Sequence, residues 1–276
     1  HLLEAHLADV PRLDYLIAHH AEQDHSGGIP FVLRKYPEAV VLASAVAKPM
    51  LVDHLGMDAA RIRAVADGEK LELGGKTLRF IDTPWVHWPE TMSSYLEEDR
   101  ILFSCDFFGS HLATNELYVV DEGHASEEAK RYYAEIMMPF RKIIQKNMEK
   151  IGSLDIDVIA PSHGPLYKKP RFIMDAYRDW SSDTPKNETV LAYVSMHGST
   201  AAMVEHFVGA LTARGVAVRQ FYMPETDIGK MAMSLVDAAT IVIAAPTVHT
   251  GPHPAVVSAA VLANALRPKL KFAAVI

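Results

Sequence analysis

The chain has 276 residues, 49% hydrophobic and 22% charged, which is an ordinary folded composition sufficient for one large domain or two of usual size. A formal net charge of −7 opposes nonspecific affinity for nucleic acid or anionic membrane. The single cysteine, Cys105, excludes an internal disulfide framework and fits a reducing cytoplasm, and no stretch reads as a membrane span or a secretory signal.

In chain order, a short apolar strand, Tyr15-Leu16-Ile17-Ala18, runs into His20-Ala21-Glu22-Gln23-Asp24-His25, and Ser26-Gly27-Gly28 then suits a tight turn into a helix. Strand-like runs follow at Val40–Ala43, Thr77–Asp82, Met92–Leu96, Ile101–Cys105 and Asp157–Ala160. The Gly74-Gly75 pair predicts a hairpin between Leu71–Leu73 and Thr77–Phe80. The longest predicted helix starts at Ser126-Glu127-Glu128 and reaches about Ile151. The polar, proline-bearing tract from Ser181 to Glu188 reads as a linker. Beyond it the rhythm is strict: strand Thr189–Val194, helix Thr200–Arg214, strand Val216–Tyr222, helix Ile228–Leu235, strand Thr240–Ala244, helix Ala255–Leu266, strand Leu270–Ile276. That order predicts a parallel, doubly wound sheet. A chain that opens on His1 and stops inside a strand-like run is expected to be a piece of a longer protein.

Four metal-binding side chains, His20, Glu22, Asp24 and His25, fall within six residues at a strand end. A hydrophobic core would not tolerate them unpaired. His87, Asp106 and His163 each lie at or just after a later strand end, where a rigid scaffold fixes loop residues. Taken singly, His87 between Trp85 and Trp88 could be a packing residue, Asp106 a turn cap and His163 a turn residue. His19 and His111 read as packing or supporting residues, and Cys105 as a small buried hydrophobe.

As a set, His-x-Glu-x-Asp-His followed by His, Asp and His at successive strand ends resembles the metallo-β-lactamase fold. Its usual dizinc members carry histidine where this chain has Glu22, and a carboxylate there makes the site harder and favours iron over zinc. The combination resembles the flavodiiron proteins (A-type flavoproteins). The resemblance implies an α/β chain: a metallo-β-lactamase-like αββα sandwich followed by a flavodoxin-like doubly wound parallel sheet, divided as residues 1–183 and 188–276, with both parts truncated. It implies one iron on His20, Glu22 and His87, a second on Asp24, His25 and His163, and Asp106 bridging them.

Ser195, Met196, His197, Gly198, Ser199 and Thr200 join the first strand of the second part to its helix. Hydroxyls and backbone N–H groups there suit a phosphate at a helix N-terminus, although the same residues are also ordinary helix-capping types. No Gly-x-Gly-x-x-Gly and no Walker lysine accompany them, so the loop resembles the phosphate loop of flavodoxin, which binds FMN. Pro246, Thr247, Val248, His249, Thr250 and Gly251 occupy the loop that wraps the flavin ring in the family.

The implied function is reduction of O₂ to water, NO to N₂O, or both, at two non-haem iron ions with electrons relayed through FMN. The resemblance further implies a head-to-tail homodimer or dimer of dimers, and an external donor such as rubredoxin, a reduced deazaflavin or a reductase. No Cys-x-x-Cys pair is present, so no rubredoxin module is fused within these residues. The alternative is a dizinc hydrolase with an appended flavodoxin-like domain, against which Glu22 argues. A third reading is a flavin electron carrier with a degenerate metal domain.

Overall fold

The computed structural model describes residues 7–276, which form two compact units. One is the chain up to Gly109 with Glu116–Tyr118 and Glu149–Pro170, and the other is Ser110–Asn115, Val119–Met148 and Arg171–Ile276.

In the first unit, β1 (Tyr15–Ala18), β2 (Val40–Ser44) and β3 (Ile62–Val65) pair in parallel in that order. The helices α1 (Gln23–Ser26), α2 (Ile29–Lys35) and α3 (Ala47–Leu55) connect them. The central strand β2 is apolar on both faces because both are covered. Its Val41 and Ala43 join Ile29, Val32 and Leu33 of α2 and Leu51 of α3 in one core. The intervening Leu42 points the other way and packs with Val65, Leu78, Phe80 and Met92.

Those last three belong to a second sheet, ordered β4 (Lys70–Glu72), β5 (Thr77–Asp82), β6 (Met92–Leu96), β7 (Ile101–Cys105) and β8 (Val158–Pro161). It is antiparallel up to β7, and β7–β8 is parallel. Two sheets therefore face one another across a core of alternating side chains, as the αββα expectation requires. Full burial of a side chain such as Leu42 or Phe80 contributes about 2 kcal/mol. The predicted glycine hairpin forms, with Gly74 at φ 71° and Gly75 at φ 107° between β4 and β5. Strand β3 escapes sequence reading because Arg63 interrupts its four residues and only Ile62 and Val65 are buried.

The second unit contains β9 (Lys186–Tyr193), β10 (Ala217–Tyr222), β11 (Ala238–Ala244), the two-residue strands β12 (Thr247–Val248) and β13 (Gly251–Pro252), and β14 (Phe272–Val275). The main sheet is ordered β10-β9-β11-β14 and every pair is parallel, as predicted. Its helices are α4 (Glu122–Tyr132), α5 (Arg141–Ile151, through Met148 in this unit), α6 (Pro170–Ser181), α7 (Ser199–Thr212), α8 (Ile228–Asp237) and α9 (Pro254–Leu266).

Two sequence expectations are corrected here. The single long helix from Ser126 to Ile151 is instead α4 and α5, separated by a π-type turn at Tyr133–Met137 and a 3₁₀ turn at Met138–Phe140. Pro139 has no N–H to continue the ladder, so the helix is rebuilt across it. The start is also earlier: Asp121 caps α4, its carboxylate accepting the Gly123 and His124 N–H groups at 2.9 and 3.1 Å. The expected linker is shorter than read, because Ser181 closes α6, donating to the Tyr177 carbonyl at 2.6 Å, and β9 begins at Lys186. By compactness, α4, most of α5 and α6 belong with the β9–β14 unit.

Among the described residues, no helix is long and apolar enough to cross a membrane.

Candidate metal centre

The seven ligand candidates converge in the first unit. His20 follows β1, and Asp24 and His25 ride on the single turn α1, which Ser26 ties down by donating to the Ala21 carbonyl at 2.8 Å. His87 lies in the loop after β5. That loop is folded by Thr91 Oγ1, which donates to the Thr83 carbonyl at 2.6 Å, and by Trp85 N–H on the Trp88 carbonyl at 2.7 Å. Asp106 and His163 follow β7 and β8, which are neighbours running in the same direction, so both loops leave the same sheet end. Trp85 at φ 61° and Cys105 at φ 55° hold left-handed backbone beside His87 and Asp106, the kind of strain that collects at functional sites.

The geometry divides around Asp106. Its Oδ2 lies 3.4 Å from both His20 Nε2 and His87 Nε2. Its Oδ1 lies 2.9 Å from His25 Nε2 and 3.2 Å from His163 Nε2. On the first side, Glu22 Oε2 is 3.2 Å from His20 Nε2 and 3.1 Å from His87 Nε2. On the second, Asp24 Oδ2 is 3.4 Å from the Nε2 atoms of both His25 and His163. The first side is thus two imidazole nitrogens and two carboxylate oxygens facing a common point, whereas the second is two imidazole nitrogens and the Asp24 carboxylate, with Asp106 Oδ1 within reach of both nitrogens.

Hydrogen bonding does not account for this convergence. Asp106 is 1% exposed, yet neither carboxylate oxygen receives an aligned hydrogen bond. Two buried oxygens without hydrogen-bond partners, ringed by nitrogens 2.9–3.4 Å away, are costly unless a cation is shared among them. Donor atoms each about 2.1 Å from one ion are themselves about 3.0–3.4 Å apart, so the spacing fits a pair of transition-metal ions. Burial pushes the Asp106 carboxyl up, but His163, His25 and His87 outweigh it and hold the group far below the usual carboxylate range, ionised and ready to ligate.

Sequence reasoning missed Glu90. It is buried, its Oε1 lies 2.7 Å from His20 Nδ1, and the same oxygen accepts the Ala21 N–H at 3.0 Å. Burial pushes the His20 imidazole down, and Glu90 with Asp106 more than reverses this. An acidic residue directly ahead of the buried run Thr91-Met92-Ser93-Ser94 was the available signal. Trp88 was missed too: its ring meets the His20 ring edge-on at 5.0 Å and, with Gln23 and His54, lines a cavity open to Glu22 and Asp24. His19 is a supporting residue as read, with Nε2 2.8 Å from Ser94 Oγ and burial lowering it to about 4. Cys105 is buried, and burial followed by the Asp106 charge raises its thiol well above the ordinary value. His111 lies beside Glu135 and Tyr132 in the second unit.

In the second unit, residues 194–198 lead from β9 into α7, whose N-cap Gly198 has φ 87° and no side-chain cap bond. Ser195 Oγ instead accepts the Gly198 and Ala201 N–H groups, each at 3.2 Å, which shapes the loop around its backbone amides. Met196 and most of its loop neighbours are solvent-facing, whereas Thr200 is buried. Thr247, Val248 and Gly251 belong to the small β12–β13 hairpin, with Pro246 just before it and His249 (φ 51°) and Thr250 (φ 80°) at its tip. The two loops emerge from the carboxyl ends of the adjacent strands β9 and β11, where Tyr193 pairs with Ala244. Between those strands the winding reverses, the usual ligand position in such a sheet.

A family model described as ODP family beta lactamase matches residues 3–164. The nitric oxide reductase of Moorella thermoacetica is 34% identical over 270 residues, covering 96% of this chain and 68% of that protein. The solved rubredoxin oxygen:oxidoreductase of Desulfovibrio gigas superposes with a TM-score of 0.92 at 25% identity, covering 99% of this chain and 71% of that one. The flavodiiron protein of Giardia intestinalis superposes with a TM-score of 0.89 at 28% identity, covering 96% and 66% respectively. The first curated relatives are longer proteins, of which the chain spans 62 to 66%. With the ligand geometry, these likenesses identify the family: the chain belongs to the ODP β-lactamase family, among the flavodiiron proteins.

Proposed function

We propose that this protein reduces O₂ to water, NO to N₂O, or both, with His20, Glu22, His87, Asp24, His25, His163 and Asp106 holding two non-haem iron ions. The observation that carries the reading is Asp106, a buried carboxylate whose two oxygens serve two separate sets of nitrogen and oxygen donors. When bound, the irons would supply the redox chemistry and FMN the electrons. The harder donor set that Glu22 creates favours iron over the zinc of hydrolytic relatives of the fold.

The chain's own residues set the conditions for that chemistry. His20, Asp106 and Glu90 form a dry floor, whereas Asp24 and Glu22 face the cavity lined by Trp88, Gln23 and His54. A small apolar diatomic would reach the centre from that side. In the second unit, the amides around Gly198 and the Ser195, Ser199 and Thr200 hydroxyls would hold the FMN phosphate, and residues 246–251 would lie against the ring system. The bipartite plan, with 1–183 carrying metal and 188–276 carrying flavin, follows from the same assignment.

The likeness to a rubredoxin oxygen:oxidoreductase and to a nitric oxide reductase supports an external donor: rubredoxin, a reduced deazaflavin or a reductase. A head-to-tail homodimer or dimer of dimers in the cytoplasm completes the proposal. Oxygen and NO electrodes, applied to the anaerobically purified protein with a chemical reductant, test it. Reductant-dependent consumption of at least one gas is expected. Zinc in the site, with reductant-free hydrolysis of a thioester or lactam, would overturn it in favour of the hydrolase.

A further inference from the structure

The two halves of the metal centre are backed differently. Behind His20, the nitrogen turned away from the cluster, Nδ1, meets Glu90 Oε1 at 2.7 Å, and both side chains are fully buried. Behind His25, Nδ1 meets the Cys105 sulfur, at 3.7 Å. A carboxylate accepting the Nδ1–H fixes the tautomer and ring plane, leaving Nε2 with its lone pair aimed at the metal. A thiol is a weak partner and does this poorly. The extremes of exposure lie on the same two sides, the His20 side chain being 0% and the His163 side chain 36% exposed, while His87 and His25 fall between them at 18% and 12%.

Glu90 is also an unfavourable residue by any purely structural account. It is a carboxylate 1% exposed, and its second oxygen, Oε2, is buried without a hydrogen-bond partner. A neutral side chain of similar shape could accept from Ala21 N–H without that desolvation cost. The charge is explained if it serves the imidazole in front of it.

We propose that Glu90 is a positioning residue of the metal centre, holding His20 in the ligating orientation and making the His20–Glu22–His87 half the tighter of two unequal divalent-cation sites. The inference rests on the two-iron reading of the centre. Glu90 touches neither the ions nor the gas. It acts through His20, and its effect falls on one half of the centre only.

The test uses the apoprotein reconstituted anaerobically with ferrous iron alone, followed by release to a chromogenic chelator. The unaltered protein is expected to bind two ions and release them in a fast and a slow phase. Glu90→Gln keeps the shape and the Ala21 contact but removes the charge, and it should accelerate the slow phase by about 10- to 100-fold with the fast phase unchanged. Glu90→Asp, retaining the carboxylate, should recover a substantial part of the slow phase. Apoprotein unfolding, followed by circular dichroism, should be nearly the same for the Glu90→Gln variant and the unaltered chain, since a merely structural role would lower stability and speed both phases together. Unchanged release from Glu90→Gln, equal acceleration of both phases, or no rescue by Glu90→Asp would each overturn the proposal. Failure of the unaltered protein to bind two ions would instead overturn the two-iron reading on which it stands.

Discussion

Asp106 in the first unit and Asp237 in the second are both buried carboxylates held ionised, yet their surroundings differ in kind. Asp237 is met by ammonium groups, Lys130 Nζ at 2.6 Å from Oδ2 and Lys186 Nζ at 3.1 Å from Oδ1. Those partners carry permanent charge and neutralise it within the protein. Asp106 is met by four imidazole nitrogens, which ligate metal when neutral and answer a carboxylate charge only when protonated. A buried carboxylate with lysines is therefore a finished ion pair that ties α8 to α4 and β9. A buried carboxylate ringed by histidines and further carboxylates has the donor set of a cation site. The partners distinguish structure from function where burial alone does not.

The largest expected effect comes from breaking the Asp106 side. Asp106→Ala should remove the shared oxygen from both donor sets and lose both ions, read as metal per chain after gel filtration. If the variant still held two ions, Asp106 would be no bridge. Glu22→His should act on metal choice: reconstitution from an equimolar iron and zinc mixture should shift retention toward zinc. Unchanged iron preference would remove Glu22 from the argument.

On the Asp237 side the effect is smaller and falls on stability. Asp237→Asn should destabilise the fold by about 1–2 kcal/mol, chiefly because it strips the partner from the half-buried Lys130, whereas Lys186 is exposed and water screens its share. Burial alone would raise the Asp237 carboxyl, but Lys130 and then Lys186 outweigh it, leaving the folded value below the ordinary one. The stabilisation is then present above the unfolded value of about 4 and is lost as pH falls through the lower folded value. Denaturant midpoints should converge for the two proteins in acid and differ at neutral pH. A constant gap across that range would contradict the ion-pair account. The smallest effect is expected at the flavin-type loop, where Ser195→Ala removes the acceptor of two backbone N–H groups. FMN affinity should fall roughly five-fold, equivalent to about 1 kcal/mol, by fluorescence titration. No change would place the phosphate elsewhere.

The Asp106 side was legible in the sequence because side chains make it: His, Glu and Asp at strand ends are rare enough in combination to stand out. Its partition into two halves was not legible from spacing. The family resemblance implied it, and the geometry adds that Asp106 turns one oxygen toward each pair of histidines. Glu90 was marked only by its place ahead of a buried run, because the contact that matters is with His20, 70 residues away along the chain. The parallel sheet from β9 to β14 was readable from its regular alternation. The break between α4 and α5 was overlooked although Pro139 marks it, since the helical pattern resumes on both sides. At the loop near Gly198 the proposed phosphate contacts would come from backbone amides shaped by a positive φ, so side-chain identity says correspondingly less.

Metal content after anaerobic purification and reconstitution with ferrous iron tests the central claim most directly. The account predicts two iron ions per chain, both lost in Asp106→Ala. A single ion per chain, or zinc retained in preference to iron by the unaltered protein, would contradict it.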